Sequence, residues 1–278
     1  YMDRRTYGWR VGVNYYDYID QYYFRRGTKQ FEYDETNFSV FAGLGKRFGR
    51  EEEWSWFFTL NWRDVDYSNV HDAIPDAWDD LTMWGGVNFS GELQFSLDRR
   101  DPYASYPKGW VWDTTFEQAV QAAGGDYEYL KYWTQVRYYL PLNGLLNDVI
   151  DIDSMWTEDN PLILAARVRV GSSTASDLPA FARYSLGGMN TLRGYHSRTF
   201  EGRDVLLGNV ELRVPVQKNF SLVGFYDIGN AANNMDWDEY HDNYGFGVRV
   251  KTPMGQIRLD FAMGGDENRT YFGFGEMF

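Results

Sequence analysis

Apolar and polar residues alternate along most of this 278-residue chain, and this period of two constrains the fold more than any other feature. In the segment 255–264, Ile257 and Leu259 fall on one face while Arg258 and Asp260 fall on the other. Successive side chains of a β-strand point to opposite faces, so this pattern predicts strands. Such segments, about twelve in all, lie near residues 7–25, 28–47, 54–67, 81–98, 110–121, 128–140, 161–172, 204–216, 219–229, 242–252, 255–264 and 270–278.

The second face of most predicted strands carries charged or amide side chains. In the segment 206–214, for example, Asn209, Glu211 and Arg213 oppose an apolar face. A polar lumen on one side and lipid on the other would suit such strands. No segment predicts a helix and no change of composition marks a boundary, so a single all-β domain is expected over residues 1–278.

The connectors near the C-terminus alternate between tight turns, at 215–219 and 252–255, and long loops, at 171–204 and 230–241. Short turns at one end and long loops at the other are typical of a transmembrane antiparallel β-barrel. A soluble β-sandwich remains an alternative, because it can show the same connectors.

Composition narrows the possible functions further. Aromatic residues make up 19% of the chain, with 22 Tyr and 11 Trp, which fits aromatic girdles at two membrane interfaces. The absence of Cys excludes disulfides and thiolate metal sites. A net charge of −13 argues against nucleic-acid binding. No apolar run approaches the roughly 18–20 residues of a membrane helix, and residues 1–5 do not begin a signal peptide.

The connector 171–204 is too long for a plain hairpin connection. Its Arg193, folded into a lumen, would need acidic partners because an unpaired buried charge is costly. Glu211 and Asp227 lie on the polar faces of the next two predicted strands, and Phe225 shares a face with Asp227. Arg193 could pair with a carboxylate and stack on Phe225. Spacing alone leaves an ordinary surface-loop arginine equally possible.

Three motifs in this region resemble those of the BamA/TamA-type outer-membrane assembly and translocation barrels, also described as bacterial surface antigen barrels. They are Leu192-Arg193-Gly194-Tyr195, a glutamate at Glu211, and Phe225-Tyr226-Asp227-Ile228-Gly229. The resemblance is strongest over residues 161–278. It implies that Arg193, Gly194, Tyr195, Glu211, Phe225, Asp227 and Gly229 lock the long loop against the inner wall.

The resemblance also implies a function and a location. Family members assist the insertion or translocation of other polypeptides in the bacterial cell outer membrane, without nucleotide. A weak seam between first and last strands, with a locally thinned bilayer, lowers the barrier for a client strand. The implied partners are outer-membrane lipid, unfolded outer-membrane or secreted polypeptide clients, and accessory periplasmic or lipoprotein subunits or another barrel copy.

The predicted last strand supplies a further family mark. Phe272, Phe274 and Phe278 would share one face of the segment 271–278. In the family, a terminal aromatic strand is the signal by which outer-membrane barrels are recognised for insertion. It would mark this chain as a client of the assembly machinery, whatever else the chain does.

Family members typically have sixteen strands, whereas about twelve are visible here. Two explanations remain open: a chain lacking four strands and the periplasmic repeat domains, or a compact twelve-stranded member. In the second case the seam would join the Tyr7 region to residues 270–278. A passive channel or structural barrel, and a secretion barrel for one passenger, are the alternative functions.

Enzymatic and cofactor sites are not expected. His196 and Ser197 are adjacent, but no Gly-x-Ser-x-Gly elbow or zinc-type His pair occurs. The acidic stretch from Asp148 to Asp159 could supply oxygen ligands for Ca²⁺, yet it lacks the glycine and spacing of an EF-hand, so a solvated loop is favoured. We therefore predict neither catalytic residues nor a metal or cofactor.

Overall fold

The computed structural model describes residues 7–25, 28–71, 85–104, 106–143, 160–235, 239–265 and 267–278. A 12-stranded antiparallel sheet of the β-barrel type dominates these ranges, and each of its strands pairs with its neighbours in the order of the chain. Its strands are β1 (Gly8–Arg25), β2 (Thr28–Phe48), β3 (Trp54–His71), β4 (Gly86–Asp98), β5 (Gly109–Val120), β6 (Tyr129–Pro141), β7 (Ile163–Ser173), β10 (Asp204–Gln217), β11 (Phe220–Ala232), β12 (His241–Thr252), β13 (Gly255–Met263) and β14 (Arg269–Phe274).

Two further strands, β8 (Tyr184–Leu186) and β9 (Phe200–Gly202), pair with each other inside the long loop between β7 and β10. Short 3-10 helices cover Ala122–Gly124 and Ala180–Ala182. No helix in the described ranges is long and apolar enough to cross a membrane. The predicted all-β fold is confirmed, and most strand boundaries agree with the pattern to within a few residues.

The alternation of side chains follows the predicted faces. On β11, Phe225 and Asp227 are buried on the inner face while Tyr226 and Ile228 are exposed on the outer one. β13 likewise buries Asp260 inside. An apolar outer surface around a polar interior is the arrangement of a barrel in lipid, and it places charged side chains where they can pair with one another and with the long loop.

Connector lengths alternate only in the C-terminal half of the sheet. There the long connectors 174–203 and 233–240 leave one end, which we call the loop end, and turns such as 218–219 close the opposite turn end. In the N-terminal half the spacing follows no such order. At the loop end β2 begins at Thr28 directly after β1 ends at Arg25, whereas at the turn end β6 ends at Pro141 and β7 begins only at Ile163.

β1 and β14 are the two edges of the sheet, and no backbone pairing joins them within the described ranges. The seam expected between the Tyr7 region and residues 270–278 is therefore not closed by hydrogen bonds in this structure.

The last strand is shorter than predicted. β14 ends at Phe274, and Gly275 then adopts a φ of +84°, which glycine accepts without strain. Phe272 and Phe274 lie exposed on the outer face, at 60% and 69%. Phe278 does not share that face, contrary to the sequence prediction, because the chain turns inward and leaves it only 6% exposed. It packs inside with Tyr139, Ile163, Ala165 and Met277.

Candidate functional site

The long loop folds against the inner face of the sheet. Its apolar side packs on the wall, and Leu186 and Leu192 from the loop meet Leu207 of β10, all three at most 1% exposed. The whole buried cluster is Tyr184, Leu186, Leu192, Phe200, Val205, Leu207 and Ala231. Burial of these side chains supplies the general attraction that keeps the loop inside, and the polar contacts beside them fix its position.

Arg193 is the central polar side chain of the loop, with no exposed surface. Its Nε donates to Asp227 Oδ2 at 2.9 Å, and its Nη2 donates to Asp227 Oδ1 at 2.8 Å. The backbone N–H of Arg193 donates to the same carboxylate at 3.2 Å. The pair is thus bidentate and charge-assisted, the strong geometry for arginine and carboxylate. Asp227 fixes both the side chain and the main chain of the loop.

Glu211 lies beside this pair and is also completely buried. Its Oε1 accepts from Arg193 Nη1 at 2.8 Å and from Arg249 Nη2 at 3.0 Å, and its Oε2 accepts from Arg213 Nε at 3.0 Å. Arg249 also donates to Asp260. Equal numbers of cations and anions make this burial tolerable. The charge network, as we name it, comprises Arg193, Arg213, Arg249, Glu211, Asp227 and Asp260.

Strand register explains why the acceptor oxygens of Asp227 are fully used. Asn209 of β10 and Asn243 of β12 stand directly opposite Asp227 of β11. The amide of Asn209 donates to Oδ1 at 2.7 Å, and that of Asn243 donates to Oδ2 at 3.0 Å. Side chains directly opposite in an antiparallel pair are close neighbours, so the sheet orients the carboxylate before the loop arrives.

Phe225 and Gly194 shape the space around the arginine. The Arg193 Cζ lies 3.4 Å from the centroid of the Phe225 ring, within the range of a cation–π contact. A Cβ atom added at Gly194 would lie 2.6 Å from Asn243 Cβ. Only glycine therefore permits the loop to approach β12 this closely.

The remaining predicted residues lie at the edge of the same region. Tyr195 donates its hydroxyl to the Asp242 carbonyl at 3.2 Å, and its ring meets Phe200 edge-on at 5.0 Å. Gly229 leaves room for the loop, because a Cβ there would lie 3.0 Å from Leu186 Cδ1 and 2.6 Å from a backbone oxygen. The structure brings all seven loop-lock residues predicted from the sequence into one region.

The charge state of Arg193 follows from its neighbours. Burial alone would lower the pKa of its guanidinium, but the hydrogen bond and the charge of Asp227, with the charge of Glu211, raise that pKa above its usual value. Arg193 therefore stays protonated wherever the barrel is folded.

A second polar anchor of the loop, Asn190, was missed by sequence reasoning. Arg167 Nη2 donates to the Asn190 carbonyl at 2.7 Å, and Arg258 donates to the Asn190 side-chain oxygen. The period-two pattern already placed Arg258 and Asp260 on a polar face, so their inward direction was visible. Their specific partners could not be seen in the sequence, because those depend on how the five strands from β7 to β13 align.

No group of three or more His, Cys, Asp or Glu side chains could hold a metal ion in the part of the chain that the structure describes. The acidic stretch from Asp148 to Asp159 lies outside the described residues. Each carboxylate of the charge network is already paired with at least one guanidinium group.

Residues 1–278 match the Omp85 superfamily domain. The chain is 25% identical over 236 residues to the outer membrane protein assembly factor BamA of Nitratidesulfovibrio vulgaris, covering 77% of this chain and 28% of that protein. It is 28% identical over 126 residues to the chloroplastic outer envelope protein 39 of Arabidopsis thaliana, covering 41% of this chain and 34% of that protein. The chain thus spans about a third or less of these relatives.

Solved structures show the same fold. BamA from Haemophilus ducreyi lacking POTRA domains 1–3 superposes with a TM-score of 0.66 at 14% identity, over 96% of this chain and 57% of that one. CdiB from Acinetobacter baumannii superposes with a TM-score of 0.59 at 14% identity, over 95% of this chain and 46% of that one.

Proposed function

Because this chain belongs to the Omp85 superfamily and is an outer-membrane β-barrel, we propose that it assists the insertion or translocation of other polypeptides. Its clients would be unfolded outer-membrane or secreted polypeptides. Lipids of the outer membrane would surround the barrel. Accessory periplasmic or lipoprotein subunits, or another barrel copy, would complete the machinery. The proposed role requires no catalytic step and no cofactor.

The observation that carries this proposal is the match of residues 1–278 to the Omp85 superfamily domain, together with a long loop held firmly inside by Arg193 and Asp227. An edge strand presents a row of unpaired N–H and C=O groups that can pair with another chain. In lipid such groups must be satisfied, since no water replaces them. An incoming client strand would pair with such an edge at the seam of the barrel and thereby begin its own folding.

The charge network would make one side of the barrel rigid, so that the seam can open without distorting that side. Within the described residues, Arg193 draws together β10, β11 and β13 through Glu211, Asp227 and Asp260. We propose that this is the lock that holds the loop and stabilises the C-terminal wall. The lock would keep this wall in shape while the seam separates.

A passive channel is less well supported. The loop packs an apolar cluster against the wall, including Leu186, Leu192 and Phe200, which closes this part of the lumen. A cavity of about 1140 Å³ does open at the turn end, between residues such as Arg47, Asp98 and Glu276. Its lining residues all lie at that end and none belongs to the long loop, so this cavity alone does not provide a pore.

Controlled depletion of the protein in its own host tests the proposal. We expect the folded levels of several other outer-membrane or secreted proteins to fall, as measured by quantitative proteomics of isolated outer membranes. Re-expression of the wild-type chain within its full-length protein should restore them. Normal levels of all such proteins after depletion, with altered permeability to small solutes, would instead support the passive channel.

A further inference from the structure

Two arginines from well-separated strands converge on Asn190 of the long loop. Arg167 of β7 donates through Nη2 to the Asn190 carbonyl at 2.7 Å, and Arg258 of β13 donates through Nη2 to the Asn190 side-chain oxygen. Three strands lie between β7 and β13 in the sheet, so the two side chains reach the loop from different parts of the wall. The residue that they share carries no charge.

Both of these cations are buried, with Arg167 5% exposed and Arg258 2% exposed. In the described part of the chain, neither forms an ion pair with a carboxylate. The other hydrogen bonds of Arg167 go to a neutral acceptor, Asn209 Oδ1, from Nε at 2.9 Å and from Nη2 at 2.7 Å. A buried cation without a counter-charge is unfavourable. This region therefore differs from the charge network, where every guanidinium group faces a carboxylate.

Buried N–H donors on the same wall remain without an acceptor. Within the described ranges, Arg258 Nη1 and Gln256 Nε2 have no hydrogen-bond partner. The two residues are two positions apart on β13, so they share its inner face. Opposite Arg258, Gly273 leaves room for the guanidinium group, because a Cβ there would lie 2.9 Å from Arg258 Nε. Positive charge and free N–H donors together suit a ligand with oxyanion chemistry.

Solvent reaches this region from inside the barrel. Asn190 is exposed, although both arginines that bind it are buried. Gln256 lines the turn-end cavity of about 1140 Å³, so the strand face that carries Arg258 continues into open space. Because these side chains are on the inner face, a ligand would arrive from the aqueous interior and not from the lipid.

We propose that Arg167, Arg258 and Gln256 form a binding site for a small soluble oxyanion, with carboxylate or phosphate oxygens, beside Asn190. The side-chain oxygen of Asn190 occupies the acceptor position at Arg258, and rotation of this exposed side chain lets the oxyanion take its place. The bound ion neutralises cations of β7 and β13 and holds the loop between them. The inference concerns a ligand of the barrel and goes beyond the proposed handling of clients.

Phosphorus NMR of inorganic phosphate tests the site, with the full-length protein in maltoside micelles that contain no phosphorus. Exchange between free solution and a large particle broadens the phosphate resonance, and we expect saturable broadening with the wild-type protein. Acetate should reverse it if the site accepts carboxylates as well as phosphate. Absence of broadening, or equal displacement by chloride at the same ionic strength, would overturn the proposal.

Two variants locate the binding. Asn190→Asp places a carboxylate of nearly the same shape between the two arginines, so it should fill the site from within and abolish the broadening. Arg258→Gln removes charge-assisted hydrogen bonds to the ligand and should weaken phosphate affinity by about tenfold or more.

Arg100→Gln is the matched control, because Arg100 lines the turn-end cavity but pairs with Asp98. It should leave phosphate affinity unchanged, and a loss equal to that in Arg258→Gln would overturn the site. Broadening that persists in Asn190→Asp would also overturn it. If Arg258→Gln fails to fold in heat-modifiability gels, Asn190→Asp decides alone, since it removes no cation. No client takes part, so either result leaves the proposed function to be judged by depletion.

Discussion

The loop meets two walls of the barrel in different ways. Against β10–β13 it places Arg193 among Glu211, Asp227 and Asp260, all essentially without solvent exposure and with hydrogen bonds of 2.8–2.9 Å to two carboxylates. Against β1 and β2 it offers aromatic contacts and the Arg198–Glu35 pair, whose atoms are 3.7 Å apart with the arginine side chain 26% exposed.

The two kinds of contact differ in how easily they can be broken. A buried, fully paired charge cannot be released without leaving an uncompensated charge behind, which is strongly unfavourable. A partly exposed ion pair or ring contact can break and be replaced by water at little cost. The C-terminal wall is therefore the rigid side of the barrel, and the N-terminal hairpin is the side able to move.

Arg193→Ala should have the largest effect. It leaves Asp227 and part of Glu211 buried without their main cation, which costs about 3–5 kcal/mol of unfolding free energy. We expect the folded form to be lost at lower temperature in heat-modifiability gels and at lower urea concentration.

Arg100→Ala is the matched control for Arg193→Ala, because Arg100 also pairs with an aspartate, Asp98, but both side chains are 41% exposed. Its effect should be below about 1 kcal/mol. Equal stability of the two variants would contradict the contrast between the walls.

Gly194→Ala should have an intermediate effect. The added Cβ would lie 2.6 Å from Asn243 Cβ and 3.0 Å from the Gly265 nitrogen, so the loop must withdraw from β12. Overpacking of this kind costs about 1–3 kcal/mol, measurable by urea titration of tryptophan fluorescence.

Gly224→Ala provides the comparison for Gly194→Ala, since a Cβ at Gly224 meets nothing within 4 Å. We expect it to leave the urea midpoint nearly unchanged. If Gly194→Ala also left the urea midpoint unchanged, the loop would not need to approach β12 closely at that position.

The coupling between Arg198 and Glu35 should be the smallest of the three effects. Their ion pair is long and partly exposed, so a double-mutant cycle of Arg198→Ala with Glu35→Gln should give a coupling energy below about 1 kcal/mol. The cycle is read from urea midpoints of the four proteins. A coupling as large as that between Arg193 and Asp227 would make the two walls equivalent.

Much of the wall could be predicted from the sequence, because alternation is a local signal. The faces of β10 and β11 follow from it, and with them the inward directions of Glu211, Phe225 and Asp227. The family motif then supplied Arg193 as their partner. Local pattern and long-range contact agreed here because the motif residues lie on neighbouring strands.

Other parts of the structure could not be predicted in this way. Asn190 and Arg249 have partners that depend on the alignment of several strands. The alternation of side chains gives the face of each strand but does not give this alignment. The inward turn at Gly275 was missed because residues 275–278 continue an aromatic pattern that would also suit a strand. Burial of Phe278 against β6 and β7 outweighs that local preference.

The opposition of Asn209, Asp227 and Asn243 on three adjacent strands has a further consequence for how the barrel forms. A slip of one residue in β11 would turn Asp227 to the lipid side, where Tyr226 and Ile228 now lie, and would leave Arg193 without its carboxylate. Misregistered walls would thus neither admit the loop nor tolerate the bilayer. Arg193 can therefore bind Asp227 only after the strands of this wall have paired in the correct register.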